Sequence, residues 1–269
     1  MPDTLAGRVA SALDLPIPEL GSHRRLWLVG TGPFHDAAEL GTYPFAGSGH
    51  SAAAVAGEGH AQLGELLGPQ DVCVLVGGDP ELSSYATRVA AGAGTVVVPL
   101  GVEPLCHGDA TARFAVAAAR VLHLCRSLGA PGVLDADLAG LVDSVAMAES
   151  AAPVISRAAL GPEVLVLGSG PAAVTARHLA IVLRETDPNI AVEGLDAQDV
   201  PGAAAGHLGP GTTALALDPD RDPEAPIARM AKMAAAEGAT VIGVSAPESL
   251  GPVAAQIPLA VATARALRR

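Results

Sequence analysis

The chain has 269 residues, half of them apolar and only 2% aromatic, with a formal net charge of −12 from 16 basic and 28 acidic side chains. That length fits two domains of about 130 residues better than one, with cores packed from Ala, Val, Leu and Gly. The acidic balance shows no basic stripe, which argues against a nucleic-acid backbone or an anionic membrane surface as partner; a phosphorylated metabolite held by N–H groups at a helix start stays open.

Residues 1–21 read as a helical segment ahead of the first domain. "MPDTLAGRVASALDL" carries Asp3 early and lacks a basic start followed by an apolar core, so it does not read as a signal peptide. No run of 18 apolar residues reads as a membrane span. Cys73, Cys106 and Cys125 make an odd count without metal-ligand spacing, which predicts buried free thiols in a reducing cytoplasm.

The next stretch, "RLWLVGTGPFHDAAEL" at 25–40, ends an apolar run at Gly30, turns through Gly-Thr-Gly and enters a helical pattern. A helix start after a strand presents free N–H groups and a positive dipole end. Gly30, Thr31 and Gly32 therefore serve either a tight turn alone or a bound anion. Pro33 suits the first helical position, where a missing N–H costs nothing. "AGSGHS" at 46–51 reads as a Gly/Ser loop, solvated or lining a polar cleft with Ser48, His50 and Ser51. "DVCVLVG" at 71–77 is a continuous apolar run, as a strand covered on both faces requires, and 94–100 and 239–245 read the same way. In "VGGDPELSS" at 76–84, Gly77 and Gly78 could offer N–H groups, but Asp79 would repel an anion. Asp79 is better placed to cap a helix with Pro80 at its first position, and the same reading covers "DPE" at 222–224.

Residues 133–160 carry Leu138, Leu141, Val142, Val145 and Ala148 at helical spacing and read as a linking helix. The pattern then begins again. "LWLVGTGP" returns as "VLVLGSGP", placing Gly168, Ser169 and Gly170 where Gly30, Thr31 and Gly32 stood. "GDPELSSYATRVAAGAGTVVV" returns as "RDPEAPIARMAKMAAAEGATVIGV", and "RFAVAAARVL" as "PLAVATARAL". Three blocks recurring in one order predict two homologous halves, 22–132 and 161–269. Strands alternating with helices predict α/β units with parallel sheets.

Other chemistries find little support. The eight histidines form no HxxxH or HExxH pair, so no metal site is expected. There is no G-x-S-x-G elbow. "GTGPFH" puts His35 where a dinucleotide fingerprint needs its third glycine, and Glu58 lies too far along to replace the usual ribose-binding acid. Two groups stand out. His207, in "GAAAGHLGPGT", has little to pack against and can titrate near neutrality. Glu185 ends the helical pattern after Gly170, where a carboxylate opposes the dipole. Solvent exposure is the plain alternative for both.

From about residue 22 to 267 the two halves resemble the tandem SIS (sugar isomerase) family and are similar to the isomerase part of glucosamine-6-phosphate synthase. "VGTGPFHDAA", "VLVLGSGPAAVTARHL" and "GHLGPGTTALAL" followed by "GATVIGVS" carry the likeness. It implies two three-layer αβα units related by a pseudo-twofold, each with a five-stranded parallel sheet. It implies a sugar phosphate bound between the halves near the Gly turns, and either an aldose–ketose isomerase or a non-catalytic sugar-phosphate-binding protein. Glu185 falls on the family's isomerase carboxylate and His207 on its ring-opening histidine. Gly30, Thr31, Gly32, Ser48, Ser51, Gly77, Gly78, Gly168, Ser169 and Gly170 would line the site. No cofactor or metal is implied, and a homodimer is compatible with the family. The chain departs from the pattern at Pro33 and Phe34, at Val182 in place of a lysine, and at Gly77–Leu82, which replaces a Ser-x-Ser-Gly-Glu-Thr phosphate loop. It ends at Arg269 without the synthase's catalytic tail, so amide transfer is not expected.

Overall fold

The computed structural model describes residues 4–46, 48, 51–56, 63–77, 80–151, 155, 157–198, 208–219, 222 and 224–268. The predicted N-terminal helix is α1 (Leu5–Asp14), capped by the Thr4 hydroxyl, which accepts from the Gly7 N–H. The first sheet follows. Strand β1 (Arg25–Gly30) leads into α2 (Pro33–Leu40), a 3-10 turn at Tyr43–Phe45, and β2 (Ser51–Ala56). A short α3 (Leu63–Leu66) precedes β3 (Asp71–Leu75), then α4 (Pro80–Ala93), β4 (Val96–Pro99) and α5 (Ala110–Ser127). The order across this sheet is β2-β1-β3-β4, all parallel.

Trp27, Val29, Val55, Cys73 and Leu75 share one face of the sheet with Leu63 of α3 and Leu82, Ala86 and Ala90 of α4. Leu28 points the other way, toward the end of α2 and Val121 of α5. This makes three layers. The only tryptophan is tied in by its indole N–H, which donates to the buried Asp71 carboxylate at 3.0 Å. Arg120 of α5 is also buried, and its guanidinium donates to the Leu15 carbonyl at 2.6 Å and to the Pro16 carbonyl, fastening the end of α1.

The predicted linking helix is α6 (Asp135–Ser150), with Leu141, Val145 and Ala148 buried; the helix stops there, and Arg157–Ala159 is a separate 3-10 turn. The second sheet comprises β5 (Glu163–Gly168), β6 (Ala191–Asp196), β7 (Thr212–Leu217) and β8 (Thr240–Val244). Its order is β6-β5-β7-β8, again parallel. Helix α7 (Pro171–Thr186) packs on β5 and β6, and α8 (Pro226–Ala236) covers the opposite face through Ile227, Met230 and Ala234. The last helix is α9 (Gln256–Leu267). The chain divides into two compact units, Met1–Asp143 with Ser249–Ile257, and Ser144–Glu248 with Pro258–Arg269.

Several expectations need correction. Each sheet has four strands among the described residues, not five. Residues 94–100 and 239–245 predicted strands covered on both faces, yet β4 and β8 are edge strands, and Val96 is 56% exposed. An apolar run shows that a strand forms but not whether a neighbour follows it. Ser51 belongs to a strand, not a loop. Asp222 does not cap a helix. Its carboxylate accepts from the Glu224 N–H at 2.9 Å in a local turn, and α8 starts later, after Ala225.

Candidate functional site

The two Gly turns have nearly the same backbone. Gly32 has φ 51° and ψ −126°, and Gly170 has φ 56° and ψ −128°. Only glycine adopts that conformation without strain. The preceding glycines are required for a different reason. A Cβ on Gly30 would lie 2.5 Å from the Phe34 carbonyl, and one on Gly168 would lie 2.2 Å from the Ala172 oxygen. The helix can leave the strand this sharply only if nothing projects there. Pro33 and Pro171 stand at the first helical position. The turns satisfy part of their own N–H groups: Phe34 donates to the Thr31 carbonyl and His35 to that of Gly32, while Ala172 donates to Ser169 and Ala173 to Gly170.

An open cleft of about 720 Å³ lies at the carboxyl end of the first sheet. It is lined by Thr31 from the Gly turn, Phe34 of α2, Pro80 and Glu81 of α4, Glu103 and Cys106 from the segment after β4, and Arg113 of α5. β1 and β3 are neighbours whose onward connections run to opposite edges of the sheet. This is the switch point at which open α/β sheets take ligands. Arg8 of α1 secures the far wall, donating to the Leu105 carbonyl at 3.4 Å and to that of His107.

Phe34 shapes the floor. A Cβ built on Gly77, which has φ 123°, would sit 2.5 Å from the Phe34 ring. The ring fills the volume that a side chain at 77 would need. Two departures from the family pattern, 43 residues apart in the chain, thus form one packed unit.

Of the residues singled out in the sequence, Thr31 lines the cleft, and Gly30, Gly32 and Gly77 form backbone around Phe34. Ser48 donates its hydroxyl to the Phe45 carbonyl at 2.7 Å. Ser51 pairs with Arg25 at the amino end of the sheet, about 16 Å along the strand from Gly30. The structure does not bring either serine to the cleft. Gly168, half-buried Ser169 and Gly170 form the corresponding turn of the second unit. Glu185 is exposed at the far end of α7, about 22 Å along the helix from Gly170. Among the described residues it makes no ion pair. His207, Gly78, Asp79, His50 and Glu58 lie outside the described residues.

Cys73 and Cys125 are buried as expected, but Cys106 is half-buried in the cleft wall. Its thiol is pushed up to about 12, first by burial and then by the Glu103 carboxylate, against the opposing pull of Arg8 and Arg113. It is therefore a weak nucleophile. Sequence reasoning missed Glu103, Cys106 and Arg113 as a group. Arg113 did carry a signal: it is a cation in the first turn of a helix, against the dipole. Among the described residues no cluster of three or more His, Cys, Asp or Glu could hold a metal, and no helix is long and apolar enough to cross a membrane.

Solved structures share this fold. A candidate phosphosugar isomerase from Silicibacter pomeroyi matches with a TM-score of 0.76 at 20% identity, over 98% of this chain and 90% of that one. Tagatose-6-phosphate ketose/aldose isomerase from Escherichia coli gives 0.68 at 14% identity, over 99% and 87%. The C-terminal domain of glucosamine-fructose-6-phosphate aminotransferase from Francisella tularensis gives 0.66 at 10%, over 98% and 94%. No family model and no curated protein matches the chain. The likeness at these identities is one of fold: this is the α/β architecture of SIS-type proteins.

Proposed function

We propose that the chain binds a sugar phosphate at the carboxyl end of its first sheet and interconverts the aldose and ketose forms of that sugar. The observation that carries the binding half is the cleft at the β1/β3 switch point, with Thr31 of the Gly-Thr-Gly turn on its wall. A candidate phosphosugar isomerase and a ketose/aldose isomerase among the structural neighbours support the reaction class. In this reading His207 opens the pyranose ring by proton transfer. The resemblance assigns Glu185 the transfer of a proton between C1 and C2 through a cis-enediol, a reaction run by acid–base groups.

One observation favours a second reading, binding without catalysis. The Phe34 ring excludes a side chain at 77, and residues 77–82 carry no hydroxyl. A protein with that floor could serve as a sensor of sugar phosphates.

The test is a panel of aldose and ketose phosphates in D2O. An isomerase incorporates deuterium at C1 or C2, and Glu185→Gln abolishes the exchange while binding persists. Binding with no exchange in the wild type selects the sensor. The cleft itself is mapped through Cys106, the half-buried cysteine of the three. Its slow alkylation by a small maleimide should be slowed further by a bound sugar phosphate. Unchanged alkylation at saturating ligand would place the ligand elsewhere.

A further inference from the structure

We propose that Arg113 is the anion anchor of the first-unit cleft, taking the phosphoryl group that the hydroxyl-free segment 77–82 does not hold. This rests on the reading of the cleft as a sugar-phosphate site and names the residue that makes it one.

Four observations converge on Arg113. It lines the cleft, as does Thr31 of the Gly turn. Its Nε is buried and has no hydrogen-bond partner. Among the described residues no carboxylate lies within ion-pair distance of its guanidinium, although Glu81 and Glu103 line the same cleft. Finally, it sits in the first turn of α5, beside the cap that Asp109 makes to the Ala112 N–H at 2.8 Å. The helix dipole is positive there, so an unpaired cation is out of place. An anion in the cleft meets the guanidinium, and the planar fork of arginine matches two phosphoryl oxygens at once.

The floor explains why the anchor lies on this wall. With the Phe34 ring against Gly77, the loop after β3 offers no side chain at 77 to grip a phosphate. The Thr31 hydroxyl remains as a neutral donor in the same cleft. Glu103 lines the same cleft and acts on the same Cys106 thiol as Arg113, so its charge works against an anion held there.

The experiment measures binding of inorganic phosphate, of a hexose 6-phosphate panel and of the unphosphorylated sugars by titration calorimetry. It uses the wild type, Arg113→Met, Arg113→Lys and Glu103→Gln, with circular dichroism confirming the fold of each. Arg113→Met should weaken both phosphate and sugar phosphate at least tenfold, and Arg113→Lys should recover part of that loss. Glu103→Gln should tighten inorganic phosphate about two- to fivefold, since it removes a like charge from the same cleft and leaves Arg113 in place. Raising the salt concentration should weaken wild-type binding more than binding by Arg113→Met. If Arg113→Met binds a sugar phosphate as the wild type does, or if Glu103→Gln leaves phosphate affinity unchanged, the anchor is elsewhere and the sugar-phosphate reading stands. If the wild type binds no member of the panel, both fall together.

Discussion

The two units share a strand order and a Gly turn, and they part after the third strand of each sheet. In the first unit β3 runs into Gly77 at φ 123°, with the Phe34 ring against it and a cleft beyond. In the second unit β7 runs into Asp218 at φ 56°, the one described residue other than glycine with a positive φ. Its N–H donates to the Val244 carbonyl at 2.7 Å, and its carboxylate accepts from the Ala246 N–H at 3.1 Å. The shared turn is imposed by the close approach of helix to strand, so it has one solution in both units. The third-strand loop is under no such constraint, and there the two units use different devices: a glycine under an aromatic ring in the first, a left-handed aspartate bonded to the segment around Val244 and Ala246 in the second.

The largest effect should come from the shared part. Gly30→Val and Gly168→Val each drive a Cβ into helix backbone, which cannot give as a side-chain tip can. Each should cost about 3 kcal/mol, the upper end for overpacking. Gly168 should be the worse, because its contact is 2.2 Å against 2.5 Å. Denaturant midpoints measure this, and a neutral outcome at either position would mean that its turn is not set by packing.

The next effect separates the units. Gly77→Ala should cost about 2 kcal/mol, combining the clash with the Phe34 ring and a φ that an alanine resists. In a Phe34→Ala background the clash part should vanish, leaving about 1 kcal/mol. A double-mutant cycle reads the coupling directly. In the second unit, Asp218→Ala should cost about 1–2 kcal/mol, from the lost hydrogen bond and the strain of a left-handed alanine. Asp218→Asn should be nearly neutral, since Asn tolerates that conformation and keeps an acceptor. If Asp218→Ala were neutral, the lacing to Ala246 would carry no weight.

A smaller difference concerns helix starts. Asp109 caps α5 by accepting from the Ala112 N–H, whereas Asp222 accepts only within a turn ahead of α8. Asp109→Ala should lower stability by about 1 kcal/mol, and Asp222→Ala by about 0.5 kcal/mol or less. Equal losses would mean that Asp222 caps after all.

These contrasts mark what the sequence could show. Both Gly turns, their prolines and the buried strands β1, β3 and β5 were legible, because each is a local event: an apolar run stops, glycine permits a turn, proline fits a first helical position. The "DPE" motif misled because its fate depends on whether the helix begins at once, as at Pro80, or after Ala225. Ser51 misled because a run of small residues after it can as well be a strand as a loop. The Phe34–Gly77 contact was out of reach, since it joins the first turn of α2 to the end of β3 through the register of β1 and β3. Arg113 was within reach by the same dipole argument that singled out Glu185, applied to the other end of a helix.

The smallest effect is a pH response confined to the first unit. His123 on α5 is held below its ordinary value of 6.5, first by burial and then by the neighbouring Arg120 guanidinium, with Asp14 pulling the other way. The Arg120 Nη1 lies 3.3 Å from His123 Nδ1 and donates to it, which requires that nitrogen to be unprotonated. Protonation therefore sets cation against cation at the group that fastens α1 through the Leu15 and Pro16 carbonyls. The unfolded chain takes up its proton near 6.5, before the folded one does. Between 6.5 and the lower folded value the unfolded state thus binds more protons, and stability falls as pH falls. Below the folded value the loss is complete and the curve flattens. Denaturant midpoints from pH 7.5 to 5 should show this decline in the wild type. His123→Gln, which keeps an acceptor for Arg120 and cannot titrate, should flatten it across that window. If the slope survived in His123→Gln, the response would belong to other groups, and the contact between α1 and α5 would be insensitive to protonation.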